Sequence, residues 1–107
     1  MTKEKIRPVK DIFSAGQVVM TQGVRDLCRQ DPRFAEFVSQ SLQRHVGGDW
    51  GALEAKDRWA NDLALIKHER LLSAYNDARF PQHGVATLWV ITEADRSATT
   101  ILFPDEY

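Results

Sequence analysis

The chain of 107 residues contains a single cysteine, Cys28, and therefore no pair that could close an internal disulfide. That usage fits a reducing compartment. No apolar run approaches the roughly 20 residues that a membrane-spanning helix needs. The opening Met1-Thr2-Lys3-Glu4-Lys5 lacks the apolar stretch of a signal peptide, so the expected location is the cytoplasm. Charge of one sign is also lacking, with 14 basic against 15 acidic residues and a net charge of -1. A nucleic-acid binder shows a basic excess or stripe, and a DNA mimic needs an acidic excess to reproduce phosphate charge density. Neither nucleic acid nor membrane is the expected partner. Arg25 and Arg29, four apart, read as a solvated helix face. There is no HExxH, no paired-cysteine motif, no EF-hand spacing and no glycine loop followed by the lysine of a P-loop, so no metal or other cofactor is expected. What remains is 43% apolar and 27% charged, ordinary values for one globular domain with one core.

The first half reads as helical and the second as strand-rich. Residues 1–15 read as a charged N-terminal arm, and residues 16–107 as the domain. Gln17-Val18-Val19-Met20-Thr21 is a short β-forming run. Thr21 can then cap a helix whose Val24, Leu27 and Cys28 share one face. Asp31 is a good N-cap, and Pro32 falls at the first helical position, where its missing N–H costs nothing. Phe34, Phe37, Val38 and Leu42 repeat at helical spacing over 32–46, and Gly47 is placed to end that helix in the left-handed conformation. A third helix is predicted from about Gly51 to Lys67, with Trp59, Leu63 and Ile66 on one face. Residues 70–75 read as a strand and 76–84 as a loop. Val85 to Thr92 is rich in β-formers and apolar on both faces, as a central strand would be. Ser97 to Phe103 is its predicted hairpin partner across the turn Glu93-Ala94-Asp95-Arg96. The expected fold is α+β: a small, mostly antiparallel sheet of about four strands with about three helices packed on one face.

The candidate functional surface is concentrated in three blocks. His45-Val46-Gly47-Gly48-Asp49-Trp50-Gly51 sets an acid and a large aromatic among three glycines, a composition suited to a shaped corner. Asp57 and Asn61 lie four apart on the third helix, and side chains so spaced meet. Glu93, Asp95 and Arg96 occupy the hairpin turn. The candidate binding residues are accordingly His45, Gly48, Asp49, Trp50, Asp57, Asn61, Glu93, Asp95 and Arg96, and no residue is assigned a catalytic role. Several have a structural alternative. Asp49 can cap the third helix. His45 can sit as a cation at the C-terminus of the second, favoured by the helix dipole. Trp50 and Trp59 can be core anchors, and Asp95 can serve turn chemistry. A Ser97–His45–Asp49 triad can be drawn, but no nucleophile elbow accompanies it. Cys28 reads as a small buried hydrophobe.

Ordered blocks carry a resemblance. Arg44-His45-Val46-Gly47-Gly48-Asp49-Trp50-Gly51 resembles the "RHxxGDWG" motif of a family of small bacterial proteins described as plasmid-related. Asp57 with Asn61 resembles that family's "D…N" pair. Ile91-Thr92-Glu93-Ala94-Asp95-Arg96-Ser97-Ala98-Thr99-Thr100 resembles its "ITEADRSxTT" hairpin, closing on Pro104 and Glu106-Tyr107. Gly16-Gln17-Val18-Val19 resembles its opening "GQVV". The chain departs from the pattern in a longer connection at Asp31-Pro32-Arg33 and a longer loop at 77–84. The resemblance implies association with bacterial mobile elements and no particular reaction. The expected function is a non-catalytic small binding protein that acts through a protein partner, for example an inhibitor of host defence such as an anti-CRISPR or anti-restriction protein. The alternatives are a small metal-binding protein or enzyme using His45, Asp49, Asp57 and Asn61, and a regulator that contacts nucleic acid through a local arginine patch.

Overall fold

The computed structural model describes residues 11–81 and 86–107. The predicted strand start at Val85, the loop residues 82–84 with His83, and residues 1–10 of the predicted arm lie outside them. Among the described residues the order is β1 (Gln17–Met20), α1 (Gln22–Gln30), α2 (Pro32–Val46), α3 (Ala55–Lys67), β2 (Leu71–Asn76), β3 (Thr87–Thr92) and β4 (Ala98–Leu102). A short 3-10 turn, Pro104–Glu106, follows. The four strands form one mixed sheet in the order β1-β4-β3-β2. β1 runs parallel to β4, and the β2–β3 and β3–β4 pairings are antiparallel. The fold is α+β, as expected.

Local chemistry explains most element boundaries. The Thr21 hydroxyl accepts from the Val24 amide at the start of α1, and the Asp31 carboxylate accepts from the Arg33 amide at the start of α2, with Pro32 in the first turn. α2 closes in a Schellman arrangement. The Asp49 amide donates to the Arg44 carbonyl at 2.8 Å and the Gly48 amide to the His45 carbonyl at 3.1 Å. The left-handed residue is Gly48, at φ 85°, while Gly47 is right-handed at φ -88°. This corrects the expectation for Gly47 by one position.

Registry puts Tyr75, Leu88, Val90 and Ile101 on one sheet face. There they join Val24, Phe34 and Val38 of α1 and α2, with Phe80 and Phe103, in one cluster. β3 is internal, with Leu88, Val90 and Ile91 buried on its two faces and Trp89 half-buried.

α3 departs from expectation in two ways. It begins at Ala55 and not at Gly51, because residues 50–52 first run along the outer side of β2. The Ala52 amide donates to the Ala74 carbonyl at 2.7 Å, and the Ala74 amide to the Trp50 carbonyl at 3.3 Å. Gly51 is the bridge residue opposite Ala74, at φ 75°, and a Cβ there would overlap the Ala74 carbonyl and press on the Tyr75 ring. Asp49 therefore does not cap α3, whose N-cap is Glu54. Trp59 is also no core anchor: Asn61 and Ala64 are the buried residues of the helix, whereas Trp59 is 64% and Ile66 76% exposed. The physical reason lies in β2. Asn61 donates from Nδ2 to the Leu72 carbonyl at 2.6 Å and accepts from the Leu72 amide at 3.2 Å, so one side chain satisfies both outward backbone groups of an edge residue.

Residues 12–15, read from sequence as part of the arm, are tied to the fold, with Phe13 and Ala15 half-buried and Ile12 and Ser14 exposed. The Ile12 amide donates to the Val46 carbonyl, and Phe13 packs against Trp50, Ala64 and Leu71.

Candidate functional site

His45 of the corner block is fully buried. α2 delivers it from one side, β2 supplies Ser73, and β3 and β4 supply Thr92 and Thr99. His45 Nδ1 lies 2.5 Å from Ser73 Oγ, and Nε2 lies 2.8 Å from Thr92 Oγ1. Thr92 Oγ1 lies 2.6 Å from Thr99 Oγ1, and Thr99 Oγ1 donates to the Ala15 carbonyl at 2.7 Å.

That last bond orients the whole chain. A carbonyl only accepts, so the Thr99 proton is committed to Ala15 and Thr92 must donate to Thr99. Thr92 then accepts from His45 Nε2–H, and Nδ1 accepts from Ser73. The imidazole is neutral with its proton on Nε2. Burial pushes its pKa down to about 4, and the Arg96 cation adds to the effect. The expectation of a cationic His45 at the helix terminus is corrected: desolvation outweighs the dipole, which is worth about 1 kcal/mol at most such sites.

Aromatic rings wall this chain. Phe13 meets His45 edge-on at 5.3 Å and stacks on Trp50 at 6.3 Å, and Trp50 meets His45 edge-on at 5.8 Å. Trp50 is buried, and its indole donates to the Asp62 carboxylate at 2.9 Å. The guanidinium of Arg96 lies over the Phe13 ring at 5.6 Å. Its Nη1 donates to the carbonyls of Glu69, Glu93 and Ala94, and Nη2 to that of Ala64. Arg96 itself sits at φ 62°, an uncommon conformation for a non-glycine residue. One cation thus ties the hairpin turn to the C-terminal end of α3, where it also complements the helix dipole.

The remaining candidates are placed apart from the imidazole. Asp49 is exposed and bound bidentately by Arg44, at 2.7 and 3.2 Å, and also accepts from the Gly51 amide. The Arg44 hydrogen bond holds its carboxyl below the usual range. The Asp49 carbonyl accepts from the Tyr75 hydroxyl at 2.7 Å, and Arg44 covers the Tyr75 ring at 4.8 Å. Gly48 is half-buried at the corner. Asp57 is exposed and lines an open pocket with Leu53, Ala60, Asn61, Leu72 and Trp89. Asp95 is exposed and accepts from the Ser97 amide, and the Ser97 side chain, followed by that amide, holds its carboxyl below the usual range. Glu93 lies 3.9 Å from Arg70.

The triad drawn from Ser97, His45 and Asp49 is not formed: His45 is committed to Ser73 and Thr92, and Asp49 to Arg44. The set His45, Asp49, Asp57 and Asn61 does not converge either, since His45 is enclosed by hydroxyls and Asn61 is clasped on Leu72. Among the described residues no group of three or more His, Cys, Asp or Glu is placed to hold a metal ion. Ser73, Thr92, Phe13 and Tyr75 were not among the predicted site residues. One signal for Thr92 was legible, since it continues the inward alternation of Leu88 and Val90. Comparison of the chain with protein-family models, curated proteins and solved structures gives no match.

Proposed function

We propose that this is a non-catalytic binding protein that works through a protein partner, engaged by the outward face of α3. The observation that carries this reading is the stripe Trp59, Leu63 and Ile66. These residues recur at the spacing of one helix face, yet Trp59 and Ile66 are turned to solvent. A helix that presents large apolar side chains to solvent is suited to lie in a groove of another protein. Tryptophan is enriched among the residues that dominate such interfaces. The polar groups around His45 support the same reading from the other direction. The one imidazole–hydroxyl pair with a base-like geometry among the described residues, His45 and Ser73, is fully buried at both members, and Asp49, Asn61 and Arg96 are engaged in internal bonds. The resemblance to plasmid-related proteins supports a partner drawn from bacterial host defence, of the CRISPR or restriction type.

The test compares capture by the immobilised wild type, by Trp59→Ala/Ile66→Ala and by Asp95→Ala, from lysate of a bacterial host. A specific partner is expected to be lost at least about tenfold with the double variant and retained with Asp95→Ala, since hot-spot truncations cost 2 kcal/mol or more. Equal recovery on all three surfaces would sink the α3 reading.

A further inference from the structure

The two edges of the sheet are treated differently. At the β2 edge, Asn61 takes the outward amide and carbonyl of Leu72, and residues 50–52 take those of Ala74. At the β1 edge the Gln17 amide donates to the Ser97 carbonyl and the Thr21 amide to the Ile101 carbonyl. The odd-numbered residues of β1 therefore face β4, and the backbone groups of Val18 and Met20 face outward. The Met20 carbonyl accepts from Arg25 at 3.4 Å. Among the described residues no strand pairs beyond β1. Val18 is 42% and Val19 39% exposed. Val18 and Met20 also border an open apolar groove that continues over Cys28, Val38, Leu42 and Ile101. An unprotected apolar edge of this kind is a template for another strand.

We propose that this edge is occupied by a second copy of the chain, through antiparallel pairing of two β1 strands about a two-fold axis at Val18. The outward pattern is self-complementary. Val18 presents both its N–H and its C=O, so the two copies of Val18 exchange two hydrogen bonds across the axis, as the closely bonded pair of an antiparallel ladder does. Gln17-Val18-Val19-Met20 carries no charge, so self-apposition sets no like charges opposite each other. This register places Gln17 opposite the other copy's Val19, and brings the two Val18 side chains together at the mouths of the two apolar grooves. Arg25, held at the Met20 carbonyl, blocks that end of the edge and leaves Val18 as the pairing residue. This association is independent of the α3 surface.

The experiment is sedimentation equilibrium of the full chain over a range from about 10 to 500 µM, for the wild type, Val18→Pro and Val18→Lys. The Val18 N–H faces away from β4, so proline there removes no internal ladder bond and is compatible with an edge strand. The lysine variant guards against misfolding of the proline variant, and far-UV circular dichroism reports the fold of both. The wild type is expected to move from 12.2 kDa toward twice that mass, and either folded variant to remain monomeric at every concentration. A wild type that stays monomeric throughout overturns the proposal. So does a limiting mass other than twofold, or a dimer that persists in a folded Val18 variant.

Discussion

The buried His45 makes stability depend on pH between about 4 and 6.5. In the folded chain the imidazole is neutral, with a pKa near 4 against an ordinary 6.5, because burial penalises the charged form. In the unfolded chain it takes up a proton below about pH 6.5. The unfolded state therefore binds more protons between these values, and stability is full above pH 6.5 and lost as the pH falls through about 4. A difference from 6.5 to about 4, at about 1.4 kcal/mol per pH unit, corresponds to about 3 kcal/mol. That is a large share of the roughly 5–15 kcal/mol that holds a domain together. The carboxyls of Asp31, Asp49, Asp77 and Asp95 are held below their usual range, so their own contributions fade at lower pH than the onset of the His45 effect. The assay is urea denaturation at about pH 7.5, 6.5, 5.5 and 4.5, with wild type and His45→Leu. Wild type is expected to lose about 2–3 kcal/mol across this series. His45→Leu starts lower, because Ser73 and Thr92 lose their hydrogen bonds to the imidazole, and its stability is expected to vary much less with pH. A variant with the wild-type pH slope would refute the assignment of that slope to His45.

Three further outcomes follow from the same contacts. Gly51→Ala is expected to cost more than about 2 kcal/mol, since it adds a Cβ at positive φ against the Ala74 carbonyl; an unchanged thermal midpoint contradicts the bridge. Asn61→Ala leaves the Leu72 amide and carbonyl without partners and is expected to cost about 2–4 kcal/mol in urea titration, whereas Asp57→Ala, on the exposed flank of α3, stays within about 0.5 kcal/mol. Trp50→Ala is expected to cost about 3–5 kcal/mol and Trp59→Ala under about 1 kcal/mol; the reverse order would mean that α3 is turned the other way.

Features governed by near neighbours in the chain were the legible ones. Asp31 with Pro32 announces α2, and both ends of that helix fall where the pattern predicts. The hairpin of β3 and β4 follows from β-branched density around a polar turn. The rotation of α3 was not legible, because periodicity reports that Trp59, Leu63 and Ile66 share a face without saying which way the face points. What turns the helix is the hydrogen-bond demand of Leu72, eleven residues from Asn61. His45 was misread for a similar reason. Its local setting is a helix end, while its partners Ser73 and Thr92 lie 28 and 47 residues away. The one-residue offset between Gly47 and Gly48 reflects two adjacent glycines, either of which suits the left-handed position. Phe13 is the unforeseen link between Trp50 and Arg96.

The clasp of Asn61 and residues 50–52 on β2 also gives the sheet a direction of growth. A sheet with two bare edges can add strands without limit, which is the route to fibres. Here one margin is terminal, and any strand addition must occur at β1. When two such sheets join through their bare margins, both bare margins are consumed and only clasped ones remain outside. The assembly stops at two by construction. Loosening the clasp, as Asn61→Ala would, removes that stop, and the cost would then be read in aggregation as well as in stability.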